Sequence, residues 1–121
     1  MNYLQRMLAI LLLFIGGMTG ANAHAMLDHT EPAVGSTVKT PLVEVKLWFT
    51  EALEPAFSTV QVFDQQGQRV DQQDAQPQPS KAKVFRVALK PLSPGIYKVV
   101  WRMVSIDSHV TKGDFTFQVA P

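Results

Sequence analysis

Apolar and polar side chains alternate in short blocks along this chain, and no window of eleven or more residues carries a helical repeat. In residues 43–49, Val43, Val45, Leu47 and Phe49 share one face while Glu44 and Lys46 share the other. That period of two is the mark of a half-buried strand. Residues 60–63, 83–89, 96–103 and 114–119 read the same way, with 25–30 and 51–55 as weaker candidates. Tyr97, Val99, Trp101 and Met103 align on one face, as do Phe115, Phe117 and Val119. Pro32 with Gly35, Gly67, Pro77 with Pro79, and Pro91 to Gly95 punctuate the blocks. Strands this short bury their apolar faces only against a second layer, so the pattern predicts a sandwich or a barrel.

Tyr97 enters its block just after Pro94-Gly95 and resembles the tyrosine that locks a corner of immunoglobulin-like sandwiches. The stretch 71–81 holds four glutamines and no aromatic residue, which reads as a long, solvated, mobile loop. The first 23 residues combine Arg6, an apolar run over 7–15 and the small-x-small junction Ala21-Asn22-Ala23. Those are the three parts of a secretory signal peptide, and the run is shorter than the roughly 20 apolar residues of a membrane span. Cleavage after Ala23 leaves one domain, residues 24–121. Only Arg6 goes with the signal, so ten basic and ten acidic side chains remain. A charge near zero without a basic run argues against nucleic acid or an anionic membrane as partner. With no cysteine, the exported domain depends on its core alone, and thiolate metal sites are excluded.

Cleavage at that junction makes His24 the first residue, whose α-amine and ring Nδ1 close a six-membered chelate on one metal ion. The amine's ordinary pKa of about 7.7–8.0 leaves a single, easily displaced proton to compete. A second cluster is Ser105-Ile106-Asp107-Ser108-His109. If it is extended, Asp107 and His109 project to one side while Ile106 turns to the core. An amine, two imidazoles and a carboxylate without sulfur suit tetragonal Cu(II), which heads the stability order of divalent first-row ions. Zinc accepts the same donors, usually in a tetrahedron.

Several segments together resemble the CopC-type copper-resistance proteins: His24-Ala25, Glu31-Pro32-Ala33-Val34-Gly35-Ser36, residues 45–49 running into Thr50-Glu51, Pro94-Gly95-Ile96-Tyr97, Trp101 through His109, Gly113 and Phe115-Thr116-Phe117. The resemblance covers nearly all of 24–121. It implies an immunoglobulin-like or cupredoxin-like Greek-key β-sandwich of about seven strands. It also implies a periplasmic monomer that carries one Cu(II), in partnership with an inner-membrane copper transport protein. By motif, His24, Asp107 and His109 match the copper ligands, and Glu51 matches an acidic residue beside the metal, either a weak ligand or a group just behind the ligands.

Some relatives carry a methionine-rich loop for Cu(I), but residues 64–83 here contain no methionine, which makes a separate Cu(I) site doubtful. Met103 reads as core; Met26, two residues from His24, reads as packed rather than as approaching the copper, and His29 reads as a surface histidine rather than an extra ligand. An amino-terminal histidine that braces copper also occurs in monooxygenases that attack polysaccharides. A domain of 98 residues lacks the length for their broad substrate face, and Asp107 sets an anion where oxygen needs an open position. The chain therefore reads as a metal binder rather than an enzyme, with a plain structural sandwich as the remaining alternative.

Overall fold

In the computed structural model, residues 26–121 are described. Two four-stranded sheets pack face to face. One runs β1 (Leu27–Glu31), β3 (Glu44–Phe49), β6 (Lys81–Ala88), β5 (Gln76–Gln78), and the other β2 (Thr37–Val38), β8 (Val110–Val119), β7 (Gly95–Val104), β4 (Thr59–Phe63). The sandwich expected from alternation is present, with eight strands in place of about seven.

The alternating faces meet where period two requires. Val45, Leu47 and Phe49 of β3 and Phe85 and Val87 of β6 close on Val60 and Val62 of β4, Val99, Trp101 and Met103 of β7, and Phe115 and Phe117 of β8, all buried. Val43 aligns with the β3 face by parity but precedes the strand and is exposed. Phe49 meets Trp101 edge to face with ring centroids 5.3 Å apart, and Tyr97 stacks on Phe117. The Tyr97 hydroxyl donates to the Ser93 carbonyl at 2.6 Å, the corner lock suggested by its position.

Three sequence expectations need correction. Residues 51–55 form no strand. Leu53 makes an isolated bridge to Ser105, and Pro55–Phe57 is a 3₁₀ turn, because proline fixes φ and supplies no ladder donor. The stretch 71–81 is not a solvated loop throughout. It contains β5, and Asp71 is fully buried. Its carboxylate accepts from the Val62 and Gln73 backbone N–H groups and from Arg69. Finally, Met26 is exposed rather than packed.

The chain crosses from one sheet to the other between β1 and β2, through a cis Glu31–Pro32 peptide and Gly35 at φ +73°. β2 then pairs parallel with β8 at Gln118 and Val119. The β3–β6 and β7–β8 ladders carry their strands to one shared end, where Phe49 and Val104 lie.

Candidate metal centre

At that end β7 and β8 pair as far as Val104 and Val110, leaving a five-residue connection, 105–109. It is a turn and not an extended segment. The Ser108 N–H donates to the Ser105 carbonyl at 2.9 Å, the Ser105 N–H to the His109 carbonyl at 3.0 Å, and Ser108 adopts φ +70°. Consequently Ile106 points to solvent, 63% exposed, where alternation placed it in the core. Asp107 and His109 nevertheless converge, with Asp107 Oδ2 2.9 Å from His109 Nδ1. The turn achieves what an extended strand was expected to do.

Both carboxylate oxygens of Asp107 are engaged. Oδ1 accepts the Ser105 hydroxyl and lies 3.4 Å from the His109 backbone N–H, while Oδ2 faces the His109 ring. The Ser105 hydroxyl, followed by the His109 ring, lowers the Asp107 pKa to about 2. Ser105 is itself fully buried, so the carboxylate is aimed from a fixed point although it is half-exposed. Sequence reasoning gave Ser105 no role, although its place two residues before Asp107 was the available signal.

Two further segments reach the same end. The Ala52 carbonyl accepts the Ile106 N–H at 3.2 Å, and the Glu54 N–H donates to the Val104 carbonyl at 2.8 Å. Ser58 reinforces this, its hydroxyl donating to the Glu54 carbonyl and accepting from the Val104 N–H at 3.0 Å. On the other side Thr50 clamps Met26: its N–H donates to the Met26 carbonyl, and its hydroxyl accepts the Met26 N–H, both at 2.9 Å. Glu51, half-buried, therefore sits between the residue that holds the start of the described chain and the residue that holds the 105–109 turn.

His24 lies outside the described residues. Among the described residues no three His, Cys, Asp or Glu side chains converge as a metal cluster, so Asp107 and His109 meet as a pair and Glu51 is not gathered with them. His29 is engaged elsewhere, with Asp28 Oδ2 at 2.7 Å and stacked on Trp48 with centroids 4.3 Å apart. Met103 is fully buried, as its alternation predicts.

The CopC domain model matches residues 27–120. The chain belongs to the CopC family. Protein YobA of Escherichia coli K12 is 35% identical over 98 residues, covering 80% of this chain and 79% of YobA. The crystal structure of CopC from Methylosinus trichosporium OB3b superposes with a TM-score of 0.75 at 31% identity, over 81% of this chain and 95% of that one. PcoC, a methionine-rich copper resistance protein from Escherichia coli, superposes with a TM-score of 0.70 at 29% identity, over 80% and 99%. Both are similar in fold, and the family is one of copper-resistance and copper-transport proteins. Against PcoC's methionine richness, this CopC-family chain has only Met26 and Met103 beyond residue 23.

Proposed function

We propose that this chain binds one Cu(II) ion in the bacterial periplasm and holds, buffers or hands on that ion without transforming a substrate. The ligands are the α-amine and ring of His24, released as the first residue by cleavage after Ala23, with the side chains of His109 and Asp107. Glu51 stands beside them as a weak ligand or a group just behind them. An inner-membrane copper transport protein is the partner that takes up or supplies the ion.

The observation that carries this reading is the fixed Asp107–His109 pair, at the end of the sandwich where Thr50 clamps Met26. Two residues of chain span at most about 7 Å, so a His24 start is tethered to that end. Donors about 2.0 Å from a metal and at right angles to each other lie about 2.8 Å apart, close to the 2.9 Å between Asp107 Oδ2 and His109 Nδ1. The spacing of the pair matches one edge of a tetragonal site. A softer Cu(I) ion lacks the thioether set it prefers and is held weakly.

The same 2.9 Å contact favours a second reading, in which Asp107 orients His109 through Nδ1 and the metal takes the other ring nitrogen. Either way the amino terminus decides the site. The exported protein is weighed by mass spectrometry and titrated with Cu(II), beside a variant carrying one extra glycine before His24. A start at His24 is expected, and the glycine, which turns the amine into an amide, should weaken binding roughly a hundredfold. Equal affinities would remove the amine from the ligand set.

A further inference from the structure

Among the described residues, the first half of β8 is an open sheet edge. β7 fills one side of β8 along its whole length, whereas β2 reaches only Gln118 and Val119 on the other. Gly35 adds a bond to the Thr116 carbonyl, and the Gln118 N–H donates to Ser36. Those bonds set the parity. Val110, Lys112 and Asp114, an even number of residues away, turn their N–H and C=O groups to that same side. No strand lies there among the described residues. The cause is the sheet switch before β2, since β1 pairs with β3 in the opposite sheet and leaves this stretch of β8 uncovered.

The edges of β1, β4 and β5 are blunted by backbone or capping devices, whereas the β8 edge is guarded only by the charge of Lys112, which turns away like-charged strands and not an acidic one. β5 is three residues long with Pro77 at its centre, β1 carries a register break between Leu27 and His29, and β4 is capped at Val62 by Asp71 and Val70. The β8 edge is five residues long, lacks proline and begins at Val110, which is exposed.

Charge indicates what fits there. Arg102 and Lys112 lie directly opposite each other on β7 and β8, both exposed. The Arg102 guanidinium donates to the Phe57 carbonyl at 3.2 Å, whereas Lys112 has no ion-pair partner among the described residues, so an anion opposite it on a neighbouring strand would relieve the like charge it faces. Asp114, the acidic residue on this edge, already has Lys98 at 4.0 Å. A second copy of the chain fits poorly. Two β8 edges paired antiparallel without meeting β2 set residue 110 against 114 and Lys112 against Lys112 of the other copy. The Trp101 ring also lies across Gly113, where an added Cβ would come within 2.7 Å of it. The ring therefore extends from β7 over β8 towards the open edge, and its Nε1 is buried without a partner among the described residues.

We infer that the open edge of β8, from Val110 to Asp114, pairs with an extended acidic segment of another protein by strand addition, directly beside His109. The ladder bonds supply affinity, and an acidic side chain opposite Lys112 completes the Arg102–Lys112 row.

The test uses the exported protein without metal, so its outcome is independent of copper binding. Two capped seven-residue peptides of alternating valine and threonine are titrated in, one with a central glutamate and one with a central lysine. Amide hydrogen exchange is read residue by residue. The glutamate peptide should protect the Val110, Lys112 and Asp114 amides and bind about two- to fivefold tighter than the lysine peptide, and Lys112→Glu should reverse that preference. Lys112 is exposed, and a circular dichroism spectrum checks that the variant keeps its sheet content. The inference is overturned by protection at β1 or β4 instead, by no protection, or by equal affinities that Lys112→Glu leaves unchanged. Protection of the same amides on concentrating the protein alone would assign the edge to self-association and also overturn it.

Discussion

Asp107 combines exposure with a carboxyl held down to about 2, because the buried Ser105 hydroxyl and the His109 ring both favour its charged form. It is thus a full anion throughout the mildly acidic and neutral range, and its Oδ2 lies 2.9 Å from the His109 ring. The two roles open to it separate by substitution. If Asp107 ligates Cu(II), Asp107→Asn loses the anionic donor and should weaken binding as far as Asp107→Ala does, roughly a hundredfold. If it orients His109, asparagine retains the Nδ1 hydrogen bond and the loss should stay within about tenfold. His109→Ala should weaken binding and alter the electron paramagnetic resonance spectrum in both cases. His29→Ala should change neither, because that ring is committed to Asp28 and Trp48. Unchanged affinity and spectrum in His109→Ala, with altered ones in His29→Ala, would show that the wrong histidine has been assigned.

At the scale of strands and turns, Asp71 is the element most at odds with its sequence surroundings. Burial pushes its pKa up. Arg69 and the Val62 and Gln73 N–H groups outweigh burial and leave the pKa below the ordinary aspartate value. Asp71→Ala strands the Val62 N–H and unpairs Arg69, which is about one-third exposed and can turn to water. A loss of about 2–3 kcal/mol is expected, seen as a lower urea midpoint with an unchanged slope. Because the folded pKa is depressed, the wild-type advantage is present above the ordinary carboxylate range and lost as pH falls through the lowered value. A stability within about 0.5 kcal/mol of wild type would mean that Asp71 does not lock the 62–73 segment. Asp71 was illegible in the sequence because its partners are a guanidinium two residues away and a backbone group across a turn, neither of which leaves a periodic trace. The long strands were legible because alternation reports burial directly: β3, β4, β6 and β7 lie within two residues of their expected bounds. β8 was read four residues short, since Val110 to Gly113 carries weak alternation at an open edge. Asp107 and His109 were legible as a pair through their spacing, but the turn that joins them depends on Ser105 and on the left-handed Ser108, which alternation cannot see.

At the scale of the whole molecule, the candidate site and the core occupy different places. Phe49, Trp101 and Phe117 build the interior, while the 105–109 turn, the 50–54 segment and the clamp on Met26 meet at one end. Metal should therefore add to stability by mass action without being needed for the fold. Cu(II) is expected to raise the melting temperature at pH 7 by an amount that grows with free ion concentration. The increment should vanish as pH falls from neutral, because protons compete with the metal for the amine and imidazole nitrogens. Asp107 is not responsible for that loss. Its pKa is depressed, so its charge is present above the ordinary value and lost only as pH falls to about 2. Near pH 4.5 the apo and copper-treated proteins should melt together with full β-sheet circular dichroism, the ion freed and the sandwich intact. A copper increment that survives at pH 4.5 would show that carboxylates rather than the amine and imidazoles hold the metal. Loss of sheet signal on chelation at pH 7 would show that the metal is part of the fold.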